Sequence, residues 1–132
     1  IGKKLLLKVN DLMHSNDEIP FTSSDSFMDK TIMEMTSKKL GCTLVTENKF
    51  LIGIVTDGDL RRFLQQGNSD IKNFPVIKAM TPNPKSIQEN SLAVEALKLM
   101  EQYNITVLPV LDEAKFPVGV IHLHDLIKAG VV

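Results

Sequence analysis

Apolar and polar positions along the chain trace one pattern twice. Leu92, Ala96, Leu99, Met100 and Tyr103 fall at i, i+4, i+7, i+8 and i+11, a single helical stripe, and Ser91 ahead of them is a capping residue. The spacing predicts a helix from Ser91 to about Tyr103. Met28, Ile32 and Met35 draw the same stripe earlier in the chain. After each stripe comes a β-rich run, Cys42 to Thr46 and Thr106 to Leu111, then a polar turn and a second run, Leu51 to Thr56 and Val118 to His122. The turns, Glu47-Asn48-Lys49 and Asp112-Glu113-Ala114-Lys115, have hairpin length. The last helix of each pattern is expected to begin near Asp57 and near Leu123.

The two patterns are an internal repeat. Val9-Asn10-Asp11-Leu12-Met13 is answered by Ile77-Lys78-Ala79-Met80 at an offset of 67, and Gly53-Ile54-Val55-Thr56-Asp57-Gly58-Asp59-Leu60 by Gly119-Val120-Ile121-His122-Leu123-His124-Asp125-Leu126 at an offset of 66. This divides the chain into residues 1–8 as a leading linker, repeat 1 at 9–66, a connector at 67–76 containing Gly67, Asn68, Ser69 and Pro75, and repeat 2 at 77–132. The expected fold class is α+β (α/β), two βαββα units. A unit of about 60 residues buries too little surface to be stable alone. Packing the two together is expected to give one shared core and two quasi-equivalent clefts at the seam.

Composition narrows the function classes. Fifteen basic and sixteen acidic side chains in 132 residues lack the basic excess with which a general nucleic-acid binder releases counterions. No apolar run approaches the roughly 20 residues that span a bilayer, and the start, Ile1 to Lys8, has too short an apolar core for a signal peptide. The expected location is cytoplasmic, with no membrane or nucleic-acid partner. One cysteine, Cys42, excludes an internal disulfide and reads as a small buried apolar residue in a β-rich run. An opening Ile in place of Met suggests a piece of a longer protein.

Candidate chemistry gathers where the second strand of each repeat turns into a helix. Thr56 and Asp59, three residues apart at such a junction, can face one cleft, where free helix N–H groups favour an anion. A carboxylate can take both hydroxyls of a ribose cis-diol, and a threonine hydroxyl can donate to phosphate. Gly58 admits close backbone approach, and Arg61 or Arg62 can offset the charge of Asp57 and Asp59. The same residues also make an ordinary helix start, Thr56 or Asp57 capping and both arginines solvated. In repeat 2, His122 replaces the threonine and Asp125 keeps the carboxylate, so the two clefts are expected to differ. Thr81-Pro82-Asn83-Pro84-Lys85 is rigid and extended, either walling a cleft with Lys85 toward phosphate or serving as a spacer. His122, His124 and Asp125 lack the Cys-x-x-Cys or second His cluster expected of a specific metal site. No metal site and no catalytic residues are assigned.

The doubled unit resembles the cystathionine-β-synthase (CBS) domain pair, in which two copies pack as a pseudo-twofold pair and bind adenosine-type ligands between them. Gly53 to Leu60 fits that family's Gly-h-h-Thr-x-x-Asp-h signature, and Ile105 to Asp112 fits its central strand. Leu5 to Met13, Thr56 to Arg62, Ala79 to Lys85 and Gly119 to Leu126 are similar to the C-terminal part of the bacterial D-arabinose-5-phosphate isomerases. There an N-terminal sugar-isomerase (SIS) domain interconverts ribulose 5-phosphate and arabinose 5-phosphate for synthesis of Kdo, the lipopolysaccharide sugar. The His-Leu-His-Asp form of repeat 2 is usual in that family. The resemblance implies a regulatory, oligomerising module with no required cofactor, attached to an SIS domain and forming a homodimer of pairs within a homotetramer. Its effector would be CMP-Kdo, CMP, AMP or ATP, held by Thr56, Asp59, Arg62, Lys85, His122 and Asp125. The alternatives are a ligand-free scaffold and an adenine-nucleotide sensor from another parent.

Overall fold

The computed structural model describes residues 5–132; Ile1 to Lys4, half of the expected linker, lie outside the described residues. The described chain is mixed α+β, with two small sheets and six helices. It divides into two compact units, one built from residues 19–84 and the other from the N-terminal segment to Glu18 together with Lys85–Val132.

In the unit of residues 19–84, β1 (Phe21–Ser23) leads through α1 (Met28–Lys38) to β2 (Cys42–Glu47), β3 (Phe50–Thr56), α2 (Asp57–Gln65), α3 (Val76–Ala79) and β4 (Thr81–Pro82). The sheet order is β1-β2-β3-β4, with β1 parallel to β2 and the remaining pairs antiparallel. The β2–β3 hairpin pairs Leu44 with Ile54 and closes on Asn48 and Lys49, both at positive φ (51° and 72°). That is the backbone hand a two-residue hairpin turn needs. Met28, Met35, Val45, Val55, Phe63 and Val76 form the apolar cluster. The first stripe thus points inward as its spacing predicts, and Cys42 is fully buried.

The other unit repeats the plan. A short helix α4 (Val9–Leu12) and a 3-10 turn (Asn16–Glu18) join β5 (Ile87–Gln88), α5 (Ala93–Tyr103), β6 (Val107–Leu111), β7 (Pro117–His122) and α6 (Leu123–Lys128). Its sheet runs β5-β6-β7, with Leu108 opposite Ile121. Val9, Ala96, Met100, Leu108, Val110, Ile121 and Leu126 are the heart of its cluster. Helices α1 and α5 each end on a residue in the left-handed region, Lys39 (φ 62°) and Asn104 (φ 54°), which closes the last turn back onto Met35 and Met100.

Two expectations for α5 need correction. Ser91 does not cap it: the N-cap residue is Leu92, which makes no side-chain cap. The free Ala93 N–H is taken by the carbonyl of Leu7 (2.7 Å), so the arriving N-terminal segment satisfies a donor that a serine would otherwise meet. Tyr103, at the end of the stripe, is 41% exposed and carries the ammonium of Lys85 on its ring face, 4.5 Å from the centroid.

Repeat and compact unit are offset. Helix α3 and β4 begin the second sequence copy but fold with residues 19–66, whereas α4 begins the first copy and folds with residues 85–132.

Candidate functional site

The first cluster forms where β3 passes into α2. Thr56 is the N-cap of α2, and its hydroxyl oxygen accepts the Asp59 N–H at 3.3 Å. The Asp59 carboxylate reaches back to accept the Thr56 N–H at 2.8 Å and the Thr56 hydroxyl at 3.0 Å. This is the reciprocal capping box that a Thr-x-x-Asp spacing permits. The other Asp59 oxygen accepts the Thr81 hydroxyl at 2.7 Å and pairs with the Arg62 guanidinium one turn along α2. Asp59 is 3% exposed, so a buried carboxylate is met on both oxygens by four donors. That is the condition under which a buried charge is tolerated.

Beside it lies a groove of about 260 Å³. Arg62, Gln66, Lys78 and Thr81 give it a polar, net cationic rim, and Phe63 and Met80 an apolar wall. Two cations close to one partly shielded carboxylate suit an anion carrying an apolar or aromatic body.

The second cluster stands at the same place in the other unit. His122 is the N-cap of α6, and its Nδ1 accepts the His124 N–H at 3.0 Å, the capping task that a hydroxyl oxygen performs at Thr56. The Asp125 carboxylate accepts the His122 N–H at 2.8 Å. The His122 and His124 rings stack with centroids 5.1 Å apart. The remaining Asp125 oxygen lies 2.8 Å from Nε2 of His14, whose Nδ1 is 2.7 Å from Glu18. Burial works to lower the His14 pKa, but the bonds and charges of Glu18 and Asp125 outweigh it and leave His14 above its ordinary value. Extending the 67-residue offset by one position sets His14 against Thr81 and also Asp11 against Lys78, so this unit has an acid where the groove of the first has a cation.

Of the six residues singled out from the sequence, Thr56 and Arg62 both bond to Asp59, and His122 bonds to Asp125. Lys85 is engaged with Tyr103. Thr81 and His14, each on the carboxylate of one cluster, and Lys78 in the groove are not among the site residues singled out from the sequence, where Thr81 is read only as part of the extended segment that ends at Lys85. Among the described residues no group of three or more His, Cys, Asp or Glu side chains is placed to hold a metal ion, and no helix is long and apolar enough to cross a membrane. Burial, and secondarily the charge of Asp57, pushes the Cys42 thiol up to about 12. That leaves it protonated and a poor nucleophile.

Known proteins are similar to this chain in sequence and in fold. The sequence matches the CBS domain over residues 9–66 and again over residues 71–132. It is 43% identical over 133 residues to "Arabinose 5-phosphate isomerase KdsD" of Escherichia coli (strain K12), covering 100% of this chain and 40% of that protein. It is 42% identical to the protein of the same name in Francisella tularensis, covering 97% of this chain and 39% of the relative. The chain therefore spans about two-fifths of the length of these relatives. Among solved structures it is similar to CBSX2 in complex with AMP (TM-score 0.79, 20% identity, 95% and 97% of the two chains). It is also similar to the CBS domain protein PAE2072 from Pyrobaculum aerophilum complexed with AMP (TM-score 0.82, 15% identity, 96% and 100%). With the domain match falling on both copies of the repeat, the chain belongs to the CBS-domain family as a tandem pair.

Proposed function

We propose that this CBS pair is the regulatory, nucleotide-binding module of an arabinose 5-phosphate isomerase. The groove of residues 19–84 carries the reading: Arg62 and Lys78 supply two positive charges beside Thr81 and the Asp59 carboxylate, and Phe63 and Met80 supply apolar wall. A phosphate or carboxylate pairs with the cations, a sugar diol competes with Thr81 for Asp59, and a base packs on the wall. AMP in the related CBSX2 and PAE2072 structures supports a nucleotide as the ligand class. The likeness to the isomerases favours CMP-Kdo, the end product of Kdo and lipopolysaccharide synthesis, or CMP as the effector, with AMP and ATP as the alternatives. Lys85, His122 and Asp125 are the contacts proposed for the other unit.

The parent enzyme would be a cytoplasmic isomerase with an SIS domain ahead of this module, assembled through its CBS pairs as a homotetramer. The effector can shift such an enzyme only by binding two of its states with different affinity. Calorimetric titration of the 132-residue chain with CMP-Kdo, CMP, AMP and ATP is the test. Saturable binding of one of them, weakened by Arg62→Ala and by Lys78→Ala, is the expected result; silence with all four ends the sensor reading.

One observation favours a second reading, a scaffold without ligand. Asp59 is already satisfied by Thr56, Thr81 and Arg62, so the first cluster is complete as a structural fastening. On that reading Arg62→Ala alters melting temperature, and no nucleotide changes it.

A further inference from the structure

The imidazole of His14 sits between two carboxylates. Its Nδ1 is 2.7 Å from Oε1 of Glu18 and its Nε2 is 2.8 Å from Oδ1 of Asp125. A neutral imidazole has one N–H and one lone pair, so it can donate to only one of these oxygens and must turn its lone pair on the other. At such distances both contacts are attractive only if both nitrogens carry protons. The equivalent fastening at Asp59 is made by the Thr81 hydroxyl and the Arg62 guanidinium, neither of which changes charge near neutral pH. Histidine does change there.

We propose that His14 is a proton-operated clasp on Asp125. Protonated, it ties the segment between α4 and the 3-10 turn to the start of α6; deprotonated by loss of the Nε2 proton to solvent, it keeps its Nδ1–H on Glu18, turns a lone pair on Oδ1 and lets go of that oxygen, which then takes a donor from a bound ligand. Backbone pairing assists the closed form, because His14 and Val120 exchange both amide bonds (2.8 and 2.9 Å) and bring the imidazole to the end of β7. The other titratable and charged groups on the elements packed here are Asp11, whose carboxylate accepts the Lys8 N–H; Asp17 in the 3-10 turn; and His122, His124 and Lys128 at the two ends of α6. His122 and His124 are the other two histidines of the chain, so the test must isolate the His14 signals. The ligand half of the proposal rests on the nucleotide-binding reading above; the clasp half does not.

Two measurements on the 132-residue chain separate the halves. The first follows the His14 ring signals by NMR from about pH 5 to 9 without ligand. The expected midpoint lies above 6.5, and Asp125→Asn and Glu18→Gln each lower it. Alongside, the melting temperature of the natural chain is compared with that of His14→Thr, which borrows the pH-independent solution of Thr81. The difference between the two should be a few degrees in favour of the natural chain below pH 6.5 and should shrink as pH rises through the midpoint. A midpoint at or below 6.5, or a difference that does not change with pH, overturns the clasp, and the ring titration decides alone if the variant does not fold. The second measurement is AMP affinity against pH. Release of Asp125 predicts binding that tightens several-fold above the His14 midpoint in the natural chain and stays flat in His14→Thr. AMP that binds with no such difference refutes the release step; if AMP binds at no pH, CMP-Kdo, CMP and ATP are titrated in the same way, and silence with all four refutes the nucleotide reading and leaves the clasp to the NMR result.

Discussion

Adding one methyl group at each of two equivalent glycines should cost very different amounts. Gly53 and Gly119 occupy the same position in the two copies, and each lets the opening segment of the other sequence copy lie closely against its strand. The three atoms nearest to a Cβ built at Gly53 all belong to the Met80 side chain, with the Cβ landing on its sulfur and 2.9 Å from its Cγ. A Cβ at Gly119 meets the sulfur of Met13 in the same way but also lies 2.9 Å from the carbonyl oxygen of His14. Each 2.9 Å approach is about 0.6 Å inside ordinary contact. Methionine has three rotatable bonds and can swing aside, so Gly53→Ala should cost about 1 kcal/mol, the low end for overpacking. The His14 carbonyl cannot swing, because it accepts the Val120 N–H at 2.9 Å while His14 donates to Val120 at 2.8 Å. Displacing it forfeits both bonds, each worth about 1 kcal/mol, on top of the same overpacking, which brings Gly119→Ala to about 3 kcal/mol. Urea unfolding of the two variants and the natural chain reads the difference of about 2 kcal/mol directly. Met80→Ala should rescue Gly53→Ala, and Met13→Ala should not rescue Gly119→Ala. Equal costs, or rescue at both sites, would refute the claim that a fixed backbone oxygen at Gly119 distinguishes them.

Further predictions address the sites and the turn. Asp59→Ala strips the acceptor from the Thr56 N–H and from two hydroxyls, and should destabilise by about 3 kcal/mol, with Asp59→Asn recovering part of that, in denaturant titrations. Cys42, buried and with its thiol pushed up to about 12, should resist an aromatic disulfide reagent in the native chain at pH 8 and react only after denaturant is added; fast native reaction would contradict the burial. Lys49→Gly should stabilise by about 1 kcal/mol in thermal unfolding, because lysine is held at φ 72° in a turn where glycine has no penalty. Because the His14 pKa is raised, its contribution to stability is complete below the unfolded value near 6.5 and is lost as pH climbs through the folded value. Melting curves of the natural chain should therefore decline over that interval more than those of His14→Thr.

Local pattern carried far in this chain because each unit uses its strands and helices conventionally. The apolar runs became β2, β3, β6 and β7 with ends shifted by a residue at most, and α2 and α6 start at Asp57 and Leu123, where strand patterning breaks. Thr56, Asp59, His122 and Asp125 were legible because a capping box is made of residues three apart. Tertiary contact decided what the pattern missed. Ser91 looks like a cap until the Leu7 carbonyl arrives from 86 residues earlier to take the helix donor. His14 is remote from Asp125 along the chain and adjacent to it in space. The repeat did hold a trace of this, since Met13 and Met80 were already aligned and the next residue in each copy is the one that reaches the carboxylate. Lys78 gave no signal of its own, because one exposed lysine in a short helix resembles any solvated surface charge.

The offset between the repeated sequence and the folded unit also bears on where the chain can be divided. A fragment ending at residue 66 would keep β1 to β3 and α2 while losing α3, β4 and the Thr81 hydroxyl that Asp59 holds, and it would carry α4 and His14 with no Asp125 to receive them. Cutting at the sequence repeat therefore yields two incomplete pieces, each holding the missing strap of the other. Such pieces, mixed, have a reason to recombine, so fragment complementation in this chain would read strap exchange more directly than it reads the strength of either core.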